Sequence, residues 1–427
     1  MDKNVLIQTI LDQAQDKLPK NLVQRWQYHQ LTPLIDNKQV IIVSGVRRCG
    51  KSTLIQQLRL NANESDYYLN FDDDRLVSFQ LTDFQMLLDV FIELYGIQST
   101  FYFDEIQNIS KWERFVRRLH NEGHKVFITG SNASLLSNEL GTHLTGRQIT
   151  LKLFPYSFKE FIRYKANDLL EAKNTTTTQK ALIKKYFSEF KQQGGMPEYL
   201  ESGQKQYLHA LYENIIYKDI IVRNKLPQER PIKELVHYLA SNNAKEFTYN
   251  SLKKLLGLGS SNTVAEYCHY LENSFLCFTV SRFAYSLKKQ IHSSKKIYFI
   301  DQAIAKTVGY RFSEDQGRML ENIVFLQLKR QDFEIYFHKE DKECDFVIRE
   351  GYQISQAIQV TVSLSDPKTK KREIEGLLEA LTMYDLSKGL IITEDEDFTE
   401  IHEVGGKRYH IQIVPCWKWL LEAETDV

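Results

Sequence analysis

An alternating α/β fold built on a parallel sheet is what this sequence predicts, and three observations predict it. Short apolar runs alternate with helical patterns through about the first 150 residues, the rhythm of βα units. One run, Val40-Ile41-Ile42-Val43, leads into Gly45-Val46-Arg47-Arg48-Cys49-Gly50-Lys51-Ser52 and then a helical segment from Thr53 to Leu60. A second run, Thr100-Phe101-Tyr102-Phe103, ends in the paired acids Asp104-Glu105.

Strand, glycine loop and helix in that order, with G-x-x-x-x-G-K-S in the loop, form the arrangement that cradles a nucleoside triphosphate. Gly45 and Gly50 are expected to let the backbone turn its N–H groups toward phosphate oxygens, and the helix N-terminus adds positive potential. The expected nucleotide-binding residues are Gly45, Val46, Arg47, Arg48, Cys49, Gly50, Lys51, Ser52 and Thr53. Lys51 would reach the β- and γ-phosphates of ATP, and the Ser52 hydroxyl would ligate Mg²⁺. Cys49 reads as a spacer in this loop, an oxidation-sensitive thiol being the alternative. Asp104 would hold the Mg²⁺ water shell and Glu105 would polarise the attacking water, unless both merely open the next helix.

Candidate strands at Tyr67–Asn70 and Lys125–Thr129 complete a set of four. The last is followed by Gly130-Ser131-Asn132, polar groups at a strand's carboxyl end, where α/β sheets bind ligands. Asn132 or Ser131 would orient the hydrolytic water or touch the γ-phosphate; a plain turn at Gly130 is the other reading. Arg147 is a candidate arginine finger, in cis or from a neighbouring subunit, against the default of a solvated loop arginine. Asp72-Asp73-Asp74 reads as a solvated acidic loop, with a helper role near Mg²⁺ as the alternative.

Composition bounds the rest. The chain has 427 residues, room for roughly two to four domains with proper cores. It is 42% hydrophobic and 26% charged, ordinary for a soluble globular protein. Lys plus Arg equals Asp plus Glu at 55 each, so no global field steers it to nucleic acid or to an anionic membrane. Five scattered cysteines without C-x-x-C spacing read as reduced thiols, and the 11 histidines show no zinc-binding spacing. Met1-Asp2-Lys3-Asn4 leads into an amphipathic helical pattern, Val5 to Leu18, rather than a signal peptide, and no apolar run of about 18 residues occurs. A cytoplasmic location and no membrane partner are therefore expected.

Beyond the first domain, set at 1–155, residues 156–240 are expected to form a helical lid or connector, broken by the turn Gly194-Gly195-Met196-Pro197. Residues 241–312 read as a winged helix. Its helices are Tyr249–Leu256 and one ending at Asn273, its strands Phe275–Phe283 and Lys295–Ile300, and Lys288, Lys289, Lys295 and Lys296 surround the wing tip. The second helix carries Glu266 and Glu272 and no Arg or Lys, which favours a packing or protein-interaction module over DNA readout. Residues 313–427 run helix, three strands, helix, strand, the order of a restriction-endonuclease-like core. Glu321 and Asp345 are its candidate metal-binding acids, but the third strand has Gln359-Val360-Thr361 where an acid-x-Lys is needed. Lys368, Lys370 or Lys371 would have to migrate in, so cleavage is not expected.

Taken together, these residues resemble a prokaryotic family that joins an AAA+-like P-loop ATPase to a C-terminal winged helix and a restriction-endonuclease-like domain. The resemblance runs from about Gln24 to the end. It rests on Gly45–Thr53, Tyr68-Leu69-Asn70-Phe71-Asp72-Asp73, Phe103-Asp104-Glu105-Ile106-Gln107, Thr129-Gly130-Ser131-Asn132 and Leu144-Thr145-Gly146-Arg147. Leu153-Phe154-Pro155-Tyr156-Ser157-Phe158, Gly194-Gly195-Met196-Pro197-Glu198, Glu321-Asn322, Cys344-Asp345-Phe346 and Arg372-Glu373 also fit. The resemblance implies Mg²⁺-dependent nucleotide hydrolysis, with ATP and ADP as ligands, at Lys51, Ser52, Asp104 and Glu105. It favours Asn132 as a polar sensor and strengthens the case for Arg147. An Asn-Lys-x-Asp guanine-reading motif does not occur. The expected function is an ATPase switch whose nucleotide state repositions the C-terminal domains for a protein or DNA partner, as a monomer or an oligomer. An ATP-regulated DNA nuclease and a nucleic-acid-binding regulator without significant hydrolysis are the alternatives.

Overall fold

A computed structural model describes residues 1–15, 22–35, 37–131, 146–170, 176–310 and 315–424. They form two compact units, one built on Met1–Phe154 with Asn273–Phe275, the other on Pro155–Glu272 and the chain from Leu276 onward. The expected boundaries at 240 and 312 fall inside the second unit.

In the first unit β1 (Val40–Gly45), β2 (Tyr68–Asn70), β3 (Thr100–Asp104), β4 (Lys125–Gly130) and β5 (Gln148–Leu153) form one sheet in the order β2-β3-β4-β1-β5. Every pairing is parallel. All six residues of β1 are buried, as a strand with neighbours on both edges and helices over its faces requires. Four of these strands are expected from the sequence. The fifth, β5, pairs with β1 from Val40↔Gln148 to Gly45↔Leu153 and is only half covered.

That pairing gives a further reason for glycine at position 45. A Cβ there would lie 2.1 Å from the Leu153 carbonyl oxygen, so Gly45 is needed for the close approach of β5. Gly50, at φ 101°, is the residue that turns the loop. One face of the sheet packs an aromatic core in which Phe84 stacks on Phe115 at 4.2 Å and Tyr67 on Phe91 at 4.7 Å. The N-terminal helix Lys3–Ala14 buries Leu6 and Ile10 against this core. Its Gln13 side chain both donates to and accepts from the Asn70 backbone, pairing the exposed edge of β2.

The second unit begins with the helices Phe158–Ala166, Thr177–Gln193, Pro197–Ser202 and Lys205–Asn214, the last running into a π-helical segment, Ile215–Val222. Then follow the helix Arg230–Ser241, β6 (Glu246–Phe247), the helices Tyr249–Leu255 and Ser261–Asn273, β7 (Cys277–Ser281), a short helix Leu287–His292 and β8 (Lys295–Phe299). The three strands form an antiparallel sheet in the order β6-β8-β7. Lys295 and Lys296 lie in its middle strand and are buried, so they do not belong to a basic wing tip; Lys288 and Lys289, on the short helix, are exposed.

The helix Gln316–Arg330 leads into a six-stranded sheet of order β13-β14-β12-β11-β10-β9. Its strands are β9 (Glu334–Lys339), β10 (Glu343–Glu350), β11 (Gln353–Val360), β12 (Lys388–Thr393), β13 (Phe398–Val404) and β14 (Lys407–Pro415). The helix Pro367–Met383 packs Leu377, Ala380 and Leu381 onto the sheet. Among the described residues no helix is long and apolar enough to cross a membrane.

Candidate nucleotide site and a second lysine–acid cluster

The loop after β1 delivers Lys51 to the first turn of the helix Lys51–Leu60, with its side chain buried. Its ammonium is 3.2 Å from the Val46 carbonyl oxygen and 3.4 Å from Glu105 Oε1. Glu105 follows β3 in a left-handed conformation, φ 50° and ψ 36°, which costs a non-glycine residue roughly 1–2 kcal/mol. Its backbone N–H donates to Thr129 Oγ1 at 3.0 Å, which helps hold that turn. The same Thr129 hydroxyl donates to Asp104 Oδ1. Because β4 lies between β1 and β3, its last residues reach both acids.

Asp104 is fully buried. Tyr68 Oη donates to its Oδ2 at 3.3 Å, and the Ser52 hydroxyl is a further partner. Burial first, and then the neighbouring Glu105 charge, push the Asp104 carboxyl above its ordinary range. Glu105 goes the other way. Burial alone would raise it, but the Lys51 and Arg47 cations and the Gln107 and Lys51 hydrogen bonds outweigh burial and hold it below the usual carboxylate range. Gln107 and Ser131 donate to its Oε2, Ser131 at 3.3 Å. The site thus contains an ionised, oriented carboxylate beside a lysine, and a buried aspartate bonded to a serine hydroxyl.

Arg25 is one residue that sequence reasoning missed. Its buried guanidinium donates to the Cys49 carbonyl at 2.8 Å and to the Phe154 carbonyl at 2.5 Å, tying the phosphate loop to the end of β5. An arginine ahead of a helix carries no signal of that role. Cys49 is buried with its thiol toward the Leu153 carbonyl, and burial raises its pKa, which supports the spacer reading. Arg47 lies 3.9 Å from Asp72, whereas Asp73 caps the short helix Asp74–Leu76 and binds Arg75.

Arg147 is brought nowhere near this site. It precedes β5, its carbonyl accepts from Val40 N, and its guanidinium donates to Asn121 at 2.9 Å. Five residues of strand, about 17 Å, separate Val40 from Gly45, well beyond an arginine's reach. This corrects the expectation of a finger acting in cis. Asn132 lies outside the described residues.

The second unit brings Glu321 and Asp345 together, but around a lysine. Lys296 Nζ is 3.0 Å from Glu321 Oε1, 2.9 Å from Asp345 Oδ1 and 2.8 Å from Glu343 Oε1. Tyr298 Oη donates to Glu321 Oε1 at 2.6 Å, and Val360 N to Asp345 Oδ2 at 3.0 Å. Gln359 accepts from Asp345 N at 3.1 Å and donates to Glu373. Lys370 and Lys371 do not migrate in; they pair with Glu400 and Glu375. Among the described residues no group of three or more His, Cys, Asp or Glu side chains is arranged to hold a metal ion. The two acids expected to form a metal pair, Glu321 and Asp345, are both paired with Lys296.

A five-stranded parallel sheet, with a phosphate loop after β1 and paired acids after β3 across an intervening strand, defines a P-loop ATPase-type domain. A family model described as an AAA domain matches residues 37–162, and one described as a domain of unknown function (DUF8612) matches 184–315. The uncharacterized protein MJ1544 of Methanocaldococcus jannaschii is 34% identical over 405 residues, covering 91% of this chain and 89% of that protein. An uncharacterized protein of Haemophilus influenzae is 30% identical over 429 residues, covering 95% and 100%. This chain belongs to the AAA-domain P-loop ATPase family, in the same full-length group as these two relatives. Among solved structures, Cdc6p from Pyrobaculum aerophilum matches at 12% identity and a TM-score of 0.26, over 72% of this chain and 98% of that one. A Drosophila ORC structure with AT-rich DNA and Cdc6 matches at 10% and 0.21, over 71% and 92%. Scores that low carry no argument about this chain.

Proposed function

We propose that this protein is a Mg²⁺-dependent ATPase whose nucleotide state repositions its C-terminal modules for a partner. The observation that carries the proposal is the convergence of Lys51, Ser52, Asp104 and Glu105 from two strands onto one end of the sheet. The residues present fit the ligands. Gly50 opens the loop at φ 101°, and Ser52 with Asp104 offers the hard oxygen donors that Mg²⁺ takes. Bound there, Mg²⁺ would neutralise charge developing on the phosphates. Lys51 would bind the β- and γ-phosphates. Glu105 would orient the attacking water and take its proton, while the bond from the γ-phosphorus to the bridging oxygen of ADP breaks. Gln107 and Ser131 keep that carboxylate aimed. Arg147 serves as a finger only in trans, in an oligomer.

The module from Arg230 to Phe299 has the helix and strand order of a winged helix, and the chain from Gln316 to Pro415 that of a restriction-endonuclease-like core. A protein partner is the favoured target, since the helix Ser261–Asn273 presents no Lys or Arg and two of the four wing lysines are buried. Steady-state phosphate release from Mg-ATP, for wild type and Glu105→Gln, with and without double-stranded DNA, tests this reading. Turnover that requires Glu105 and ignores DNA supports it. Stimulation by DNA transfers the partner role to nucleic acid. Absence of turnover with ATP still bound removes the ATPase and leaves a nucleotide sensor.

A further inference from the structure

The Lys296 cluster lies in the second unit and gathers three carboxylates around one buried lysine. We infer that Lys296 is the resident cation of this cluster, standing where a divalent metal would sit between Glu321 and Asp345. The C-terminal sheet then carries out no metal-dependent phosphodiester chemistry.

Three observations carry the inference. Lys296 is anchored in β8, the middle strand of its sheet, with its backbone paired on both sides and only 2% of the residue exposed. It meets three carboxylates at 2.8–3.0 Å, the spacing of charge-assisted N–H···O bonds. Oxygen ligands of Mg²⁺ would have to close to about 2.0–2.1 Å. Protein donors hold the acids in this arrangement as well: Tyr298 donates to the same Glu321 Oε1 that Lys296 binds, and the Val360 N–H takes the other Asp345 oxygen, Oδ2. Finally, β11 supplies neutral Gln359, and the residue after that strand is neutral Thr361. The Gln359 amide spans from the Asp345 backbone to Glu373 and so takes up a position where a further acid would be needed.

Lysine and metal therefore compete for one place, and the test reads that competition. Mn²⁺ is titrated into the full chain without nucleotide, with free Mn²⁺ followed by electron paramagnetic resonance. Wild type and Asp345→Asn are expected to bind Mn²⁺ alike. Lys296→Ala is expected to gain one ion bound at least ten-fold more tightly than any in wild type, and Lys296→Ala/Asp345→Asn to lose it. A wild-type ion lost in Asp345→Asn overturns the inference, as does divalent-dependent nicking of supercoiled plasmid lost in the same variant. So does a folded Lys296→Ala, verified by circular dichroism, that gains no ion. Should Lys296→Ala fail to fold, the wild-type and Asp345→Asn titrations and nicking assays decide the question alone.

Discussion

Two buried lysines in this molecule each face carboxylates at close range, and the two places have opposite chemistry. Lys51 begins a helix after a glycine loop, and Glu105 beside it keeps 14% of its side chain exposed. Lys296 sits inside a sheet, its ammonium between Glu321, bonded also by Tyr298, and Asp345, bonded also by the Val360 N–H, while the third acid, Glu343, keeps 36% of its side chain exposed. The pair of residue types is the same. A loop-to-helix turn leaves it open to a ligand, and a central strand closes it.

Substitutions should separate the two sites. The largest effect is expected at the open one: Glu105→Gln should lower ATP turnover on the order of 10²–10⁴-fold while leaving nucleotide binding, read by fluorescent-ADP titration, nearly intact. At the closed site Lys296→Ala should instead destabilise the fold by about 3–5 kcal/mol, because it strands buried charge. Urea denaturation would measure this, and Lys296→Met/Glu321→Gln/Asp345→Asn should recover most of the loss. Arg25→Ala removes two charged hydrogen bonds to carbonyls, worth about 1.5–3 kcal/mol each in other proteins. It should lower Tm and weaken nucleotide binding together, whereas a change in turnover alone would count against a loop-positioning role.

The smallest effect is one of pH. Burial, with the Asp345 charge, pushes the Glu321 carboxyl from 4.5 up to about 7. Between those values the folded chain holds a proton that the unfolded chain has released, so this group's contribution to stability falls as pH rises from about 4.5 to 7. Glu321→Gln should flatten that part of the stability profile. An unchanged slope would mean that the proton resides elsewhere.

The sequence was informative where one local segment carries the chemistry. Gly50, Lys51 and Ser52 announce themselves within a few residues, and the apolar run before Asp104-Glu105 marks a buried strand. β5 was harder, although Gln148 to Leu153 alternates polar and apolar residues as a half-covered strand should. Its pairing with β1 is what explains Gly45 and places Arg147 at the wrong end of the sheet. Thr129, Arg25 and Lys296 were not legible, because each acts on residues far away in sequence that only the topology brings near. Lys296 in particular reads as one more wing lysine until β8 turns it inward.

The contrast between the two lysines is tested most directly by counting divalent ions. With saturating non-hydrolysable ATP analogue, Mn²⁺ binding per chain should reach one tight ion, lost in Lys51→Ala and unaffected by Asp345→Asn. Two tight ions per chain, one of them removed by Asp345→Asn, would contradict it.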